Sequence, residues 1–234
     1  MDKVKLFCIP YAGGSATVYN QWKSLLNKSI ELCPLELKGR GKRFGAGFYN
    51  DFDDAVNDLF ELVKNDLDHS EFAIWGHSMG SLLAYELGQK ILAEKQKDPV
   101  HIFFSGRKPP YPLKLVRFVH KLSDEEFKKE VLKYGGNTKE IFEDKNLASL
   151  FLPILRADFR VLETYKFKEN RRKFECDISV LYSSEDETTK PDEINEWASV
   201  TQKNCKIYDF NGGHFFINDC KNSVVEIINS VLAK

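Results

Sequence analysis

Apolar residues along this chain follow two alternating patterns. Short dense runs at 4–9, 30–35, 72–75, 100–105, 178–182 and 206–210 have the length and density of strands buried in a covered sheet. Between them, apolar positions recur every three or four residues, the period of one helical face. Phe52, Val56, Leu59, Phe60, Val63 and Leu67 mark such a face, with Asp51 or Asp53 as its N-cap, and Met79, Leu82, Leu83, Leu87 and Ile91 mark another. Residues 16–26, 192–200 and 224–232 read as further helices. Strands alternating with amphipathic helices build βαβ units, so the pattern predicts an α/β fold with a mostly parallel central sheet flanked by helices.

From Pro109 onward the alternation lapses, and it resumes only after Lys173. Ser123-Asp124-Glu125-Glu126 is a capping box opening a helix that Gly135-Gly136 ends. A second helical tract covers 145–168, where Pro153 is expected to break or kink it. The chain therefore reads as one domain over residues 1–234 carrying an all-helical insertion at 109–173. Leu147, Leu150, Phe151, Leu152, Ile154 and Leu155 suit a lid over an apolar pocket, and equally suit packed helices with no lid function.

A chain of 234 residues, 42% of them hydrophobic, can bury a sizeable core within one large α/β domain. Charged residues make up 29% but cancel to a net −1, so charge balance points to neither nucleic acid nor an anionic membrane as partner. A strand begins within a few residues of the start, without a basic stretch and apolar leader ahead of it. No apolar run approaches the about 18 residues needed to span a bilayer. The expectation is a soluble cytoplasmic protein. Cys8, Cys33, Cys176, Cys205 and Cys220 are odd in number and scattered, and read as small buried or half-buried hydrophobes rather than a disulfide framework or zinc site.

The candidate chemistry sits at strand ends. Gly76-His77-Ser78-Met79-Gly80 closes one strand and opens a helix, the context of a nucleophile elbow, which makes Ser78 the candidate nucleophile. Pro10-Tyr11-Ala12-Gly13-Gly14-Ser15 follows the first strand. Such a turn can aim a backbone N–H above the sheet, nominating Ala12 and Met79 as oxyanion-hole donors; it can also be a plain tight turn. Ser183-Ser184-Glu185-Asp186 and Gly212-Gly213-His214 each follow a strand. Ser78, Asp186 and His214 then stand in the chain order of a hydrolase triad, with Glu185 and Asp177 as rivals to Asp186. A serine hydroxyl needs an imidazole to take its proton and a carboxylate to fix that imidazole's tautomer. His77 is expected to support the turn, His69 and His120 to lie at the surface, and His101 to belong to a strand. Lys38-Gly39-Arg40-Gly41-Lys42-Arg43 reads as a flexible basic loop, unlike a P-loop because no Lys-Ser/Thr opens a helix after it.

With these residues in place, the chain resembles the type II thioesterases, free-standing α/β-hydrolases that accompany nonribosomal peptide and polyketide synthases, and their relatives in fatty-acid synthesis. The resemblance runs through 10–15, Gly39-Arg40-Gly41-Lys42-Arg43, 76–80, Ser105-Gly106-Arg107 with Pro109-Pro110, 152–159, Asp186 with Pro191 and Trp197, and 212–216. Two departures stand out: Lys38 where many relatives have proline, and Ser183-Ser184 near a usual Gly-Asp pair. The resemblance implies Ser78, Asp186 and His214 as triad, a mobile lid, and hydrolysis of acyl or aminoacyl thioesters from the phosphopantetheine arm of an acyl or peptidyl carrier protein by a monomer. No metal or organic cofactor is called for. Lys114, Arg117, Lys121, Arg171, Arg172 and Lys173 could meet an acidic carrier surface, or be ordinary solvated charge. Rival functions are a small-molecule carboxylester hydrolase, a fatty-acyl carrier protein thioesterase, an acyltransferase or cyclase, and an inactive hydrolase fold serving as a binding module.

Overall fold

The computed structural model of the chain describes residues 3–111, 117–136 and 138–233. The first strand, β1 (Val4–Ile9), pairs with β2 (Ile30–Pro34) on one side; the chain then crosses back through α1 (Phe52–Val63) to place β3 (Phe72–His77) on the other. Helix α2 (Met79–Lys95) leads to β4 (His101–Ser105). Three helices follow, α3 (Asp124–Leu132), α4 (Thr138–Glu143) and α5 (Lys145–Glu163), before β5 (Asp177–Ser183). The rest is α6 (Pro191–Asn195), β6 (Cys205–Phe210), α7 (Phe216–Asp219) and α8 (Lys221–Leu232). The strand order is β2-β1-β3-β4-β5-β6, every pairing is parallel, and the expected α/β fold is what forms.

Alternation along the strands divides the core. Phe7, Ile9, Phe72 and Ile74 face α1 and α2, while Leu6, Cys8, Ala73 and Trp75 face Tyr19, Trp22 and the α8 residues Val224, Val225 and Ile228. Because β2 and β3 lie on opposite sides of β1, the connections leaving β1 and β3 diverge and open a crevice at their carboxyl ends, where ligands of such sheets bind. Cys8 and Cys176 are buried and the other cysteines half-buried, all as free thiols.

Local departures from the sequence pattern have physical causes. Instead of a full helix at 16–26, a 3₁₀ turn covers Ala16–Trp22. A three-residue period brings Tyr19 edge-to-face against Trp22, ring centroids 4.9 Å apart, and Trp22 meets Trp75 in the same manner at 5.0 Å. Asp51, not Asp53, caps α1, accepting the Asp54 N–H at 2.8 Å. Pro153 does not end α5, which runs as one helix through it to Glu163 rather than 168. Within α5, proline's missing N–H leaves only the Ser149 carbonyl without its backbone donor. Helix α4 fills a stretch that carries no clear apolar period, and the tract at 192–200 divides into α6 and a 3₁₀ turn at Glu196–Val200. Among the described residues, no helix is long and apolar enough to cross a membrane.

His101 lies buried in β4, its Nε2 2.9 Å from Ser179 Oγ on β5. Burial, only partly opposed by the nearby Asp177 charge, pushes its pKa down from 6.5 to about 4. Between those values the unfolded chain binds the proton and the folded one does not, so stability falls as pH drops through this window. His101→Gln should remove a contribution on the order of 3 kcal/mol to that loss. Urea unfolding at pH 7 and pH 4.5 would measure it, with a smaller difference between the two pH values in the variant.

Candidate active site

Ser78 sits between β3 and α2 with φ 54 and ψ −114, a strained conformation for a residue with a side chain. The turn is possible because its flanks lack side chains: a Cβ on Gly76 would lie 2.0 Å from Gly80 O, and one on Gly80 would lie 2.2 Å from Ile9 O. Ser105 O accepts the Ser78 N–H at 2.7 Å. Beneath the elbow, the Ser81 hydroxyl lies 2.8 Å from Gly76 O and 2.7 Å from Ser105 O, and accepts the Ser105 N–H at 2.9 Å. His77 is fully buried, its Nδ1 2.9 Å from Ser105 Oγ, so it braces the turn. Burial first, and then the neighbouring His214, hold the His77 pKa well below the usual imidazole value. A neutral ring therefore stands 5.2 Å from the His214 ring.

The structure brings the three sequence-nominated side chains into one hydrogen-bonded row. His214 Nε2 is 2.9 Å from Ser78 Oγ, and its Nδ1 is 2.7 Å from Asp186 Oδ2. Glu185 and Asp177 do not enter this row. The other carboxylate oxygen of Asp186 accepts the Thr188 N–H at 2.9 Å and the Thr188 hydroxyl at 2.7 Å. Burial alone would raise the Asp186 pKa; the His214 hydrogen bond and charge, with Thr188, outweigh it and hold the carboxyl below its ordinary value. Ser183, one of the departures noted in the sequence, donates to Gly212 O and accepts the Glu185 N–H at 3.1 Å, tying the aspartate turn to the histidine turn.

The turn after β1 is held from three directions. Gly13 N–H donates to Asp158 Oδ2 at 2.7 Å, and Gly14 N–H to Tyr11 O at 2.9 Å, leaving the Ala12 amide without an acceptor among the described residues. Met79 opens α2, so its amide has no intrahelical acceptor. Asp158 of α5 also makes a fork-to-fork pair with Arg40, at 2.6 and 2.5 Å, and Arg40 donates to Gly14 O at 3.0 Å. Both side chains are buried. The basic stretch at 38–43 is thus not a flexible loop: Arg40 pairs inside with Asp158, Arg43 pairs with Asp58 at 2.6 Å, and a 3₁₀ turn follows at Gly41–Ala46.

Above the row lies a cavity of about 370 Å³. Ser78 and His214 form part of its wall with the Tyr11–Ser15 turn, and the insertion supplies Val131, Tyr134, Ile141, Phe151, Leu155 and Phe159. Among the described residues, no cluster of three or more His, Cys, Asp or Glu side chains is placed to hold a metal.

Sequence reasoning missed Arg40, Asp158, Thr188 and Ser183. Arg40 and Asp158 both fall in stretches that carry the resemblance, but their pairing across 118 positions leaves no local trace. His120 is half-buried against Glu163, not at the surface, because the Glu163 carboxylate also takes the Val119 N–H at 2.6 Å. The row of basic residues is not a free patch. Arg171 pairs with buried Glu86, Arg172 with Asp98 and Glu175, Arg117 with Glu130, and Lys121 lies over the Phe118 ring; Lys173 is exposed and Lys114 lies outside the described residues.

Comparison with known proteins gives consistent results. A family described as thioesterase domain matches residues 4–232. The gramicidin S biosynthesis protein GrsT of Aneurinibacillus migulanus is 33% identical over 97% of this chain and 88% of its own length. The medium-chain S-acyl fatty acid synthase thioesterase of Rattus norvegicus is 31% identical over 98% of this chain and 87% of its own length. Among solved structures, ClbQ from the colibactin NRPS/PKS pathway superposes with a TM-score of 0.93 at 34% identity, covering 98% of this chain and 97% of ClbQ. The type II thioesterase BorB from the borrelidin biosynthetic cluster gives 0.87 at 30% identity, covering 98% and 93%. The fold is that of the α/β-hydrolases.

Arg40→Met should destabilise the protein by about 3–5 kcal/mol, because it leaves the Asp158 carboxylate buried without its counter-charge. Adding Asp158→Leu should recover a large part of that loss, since an apolar pair of similar volume carries no desolvation cost. Urea denaturation of wild type, single and double variants measures both steps.

Proposed function

This chain belongs to the thioesterase family and is a thioester hydrolase similar to the type II thioesterases of NRPS/PKS pathways, and on that premise we propose that it removes acyl or aminoacyl groups from the phosphopantetheine arm of a carrier protein through a Ser78-His214-Asp186 triad. The observation that supports this is the hydrogen-bonded row from Ser78 to Asp186 opening into a largely apolar cavity. Ser78 Oγ attacks the thioester carbonyl carbon as His214 Nε2 takes its proton. The N–H groups of Ala12 and Met79 receive the oxyanion, each donor being worth about 3 kcal/mol in comparable sites. Collapse breaks the C–S bond, and the departing sulfur takes the proton from His214; a thiol with pKa about 8.5 leaves readily. Water then attacks the acyl-Ser78 ester with His214 as base, releasing the carboxylic acid and restoring Ser78. Asp186 keeps Nδ1 of His214 protonated and stabilises the imidazolium, while the buried neutral His77 adds no repulsion to it.

The helices at 109–173 act as a lid on the single hydrolase domain, their inner face taking the acyl chain. Unblocking of a nonribosomal peptide or polyketide synthase by a cytoplasmic enzyme is the role this chemistry suits. In acetyl-loaded carrier protein followed by intact mass, wild type should strip the acetyl group and Ser78→Ala should lose at least about 10³-fold in rate. Wild-type rates in Ser78→Ala would exclude the mechanism.

A further inference from the structure

Arg107 stands just past β4, two residues beyond the Ser105 carbonyl that holds the Ser78 amide. Its backbone is fixed: the preceding Gly106 has φ 61 and donates its N–H to Leu181 O at 2.9 Å, and Trp197 Nε1 donates to Arg107 O at 2.8 Å. The side chain forms part of the cavity wall shared with Ser78 and His214. Tyr134, whose ring lies 5.3 Å from that of His214, lines the same cavity.

What sets Arg107 apart is the lack of a partner. Arg40, Arg43, Arg117, Arg156, Arg171 and Arg172 each form an ion pair, and Arg160 donates to Tyr49 O. Arg107 has no side-chain hydrogen bond or ion pair among the described residues. Buried carboxylates elsewhere in the molecule are already used, Asp158 by Arg40, Glu86 by Arg171 and Tyr165, and Glu163 by His120. Apart from His214, the described cavity wall holds no other ionisable acid or base than tyrosine, and no Asp, Glu or Lys. Arg107 is half-buried, so part of its hydration is lost without a protein partner in its place, and an incoming opposite charge is favoured there. Burial lowers the Arg107 pKa, but a guanidinium stays protonated in proteins.

We infer that Arg107 sorts acyl groups by charge: the cavity accepts thioesters whose acyl chain ends in a carboxylate over neutral chains of equal length, and disfavours chains ending in an ammonium. This deepens the carrier-thioesterase reading and rests on it. The other anion within such a substrate is the phosphate of the phosphopantetheine arm, which remains ester-linked to the carrier. Thioesters of N-acetylcysteamine carry no phosphate and separate the two sources.

The test compares kcat/KM for succinyl, butyryl and β-alanyl N-acetylcysteamine thioesters, which place a carboxylate, a methyl group and an ammonium on the same two-methylene spacer. Wild type should favour them in that order. Arg107→Met should lower the succinyl-to-butyryl ratio by roughly 10- to 100-fold. Arg107→Lys should keep the order, and Arg107→Glu should invert it, a readout that loss of folded protein cannot mimic because only ratios are compared. Ratios unchanged within twofold in Arg107→Met and Arg107→Glu would overturn the inference while leaving the thioesterase reading intact. An Arg107→Met loss that is equal for all three acyl groups on carrier-bound substrates and absent with the N-acetylcysteamine thioesters would assign the anion to the arm and overturn it as well. Failure of wild type to hydrolyse every thioester, carrier-bound ones included, would remove the underlying reading instead.

Discussion

The buried pair of Arg40 and Asp158 joins three distant parts of the chain at one point. Asp158 comes from α5 of the insertion, Arg40 from the segment after β2, and both reach the turn after β1, one through Gly13 N–H and the other through Gly14 O. Burying two charges gains little stability by itself, because desolvation offsets their attraction. What the pair gives is position: with the Gly13 amide bound to a carboxylate, the turn can hold the Ala12 amide free beside the elbow. The same pair docks the α5 wall of the cavity onto the domain beneath it. Sheet, the turn after β1 and the insertion are therefore set against each other by one ion pair and its two backbone contacts.

Charge is distributed around the site with opposite logic on its two sides. Below Ser78, the charged and polar groups beside His214 are arranged for one proton. Asp186 stays ionised because hydrogen bonds outweigh burial, and His77 stays neutral because burial outweighs everything else. Above it, the cavity wall is largely aliphatic and aromatic, with neutral polar groups from Ser15, Thr17, Thr138 and Asn218 and a single unpaired guanidinium. In the proposed mechanism the lower side serves the chemistry that any thioester undergoes, and the upper side distinguishes one acyl chain from another.

Much of this architecture could be read from the chain alone. Strands of the sheet came within a residue or two of their bounds because their apolar runs are dense and the inner ones, β1, β3, β4 and β5, are buried along nearly their whole length. Gly76, Ser78 and Gly80 announced the elbow, since only that spacing lets β3 and α2 approach Ile9 so closely. Elements fixed by tertiary contacts were less visible. The segment at 38–43 has the composition of a solvated loop, and its order comes from carboxylates on α1 and α5. The 3₁₀ turn at Ala16–Trp22 follows from edge-to-face packing of Trp22 on Trp75, which no local propensity encodes. Pro153 is tolerated because one missing hydrogen bond is small against the buried face of α5, and His120 is drawn inward by a glutamate 43 positions away.

Covalent acylation of Ser78 is the step on which the proposed mechanism depends. Rapid acid quenching of the enzyme with a butyryl thioester, followed by intact-mass measurement and peptide mapping, addresses this directly. A transient mass increase of one butyryl group located on the peptide at Ser78, absent in Ser78→Ala and longer-lived in His214→Ala if any forms there, is the predicted result. Sustained turnover with no acyl group on Ser78 at any quench time, or an acyl group on another residue, would contradict it.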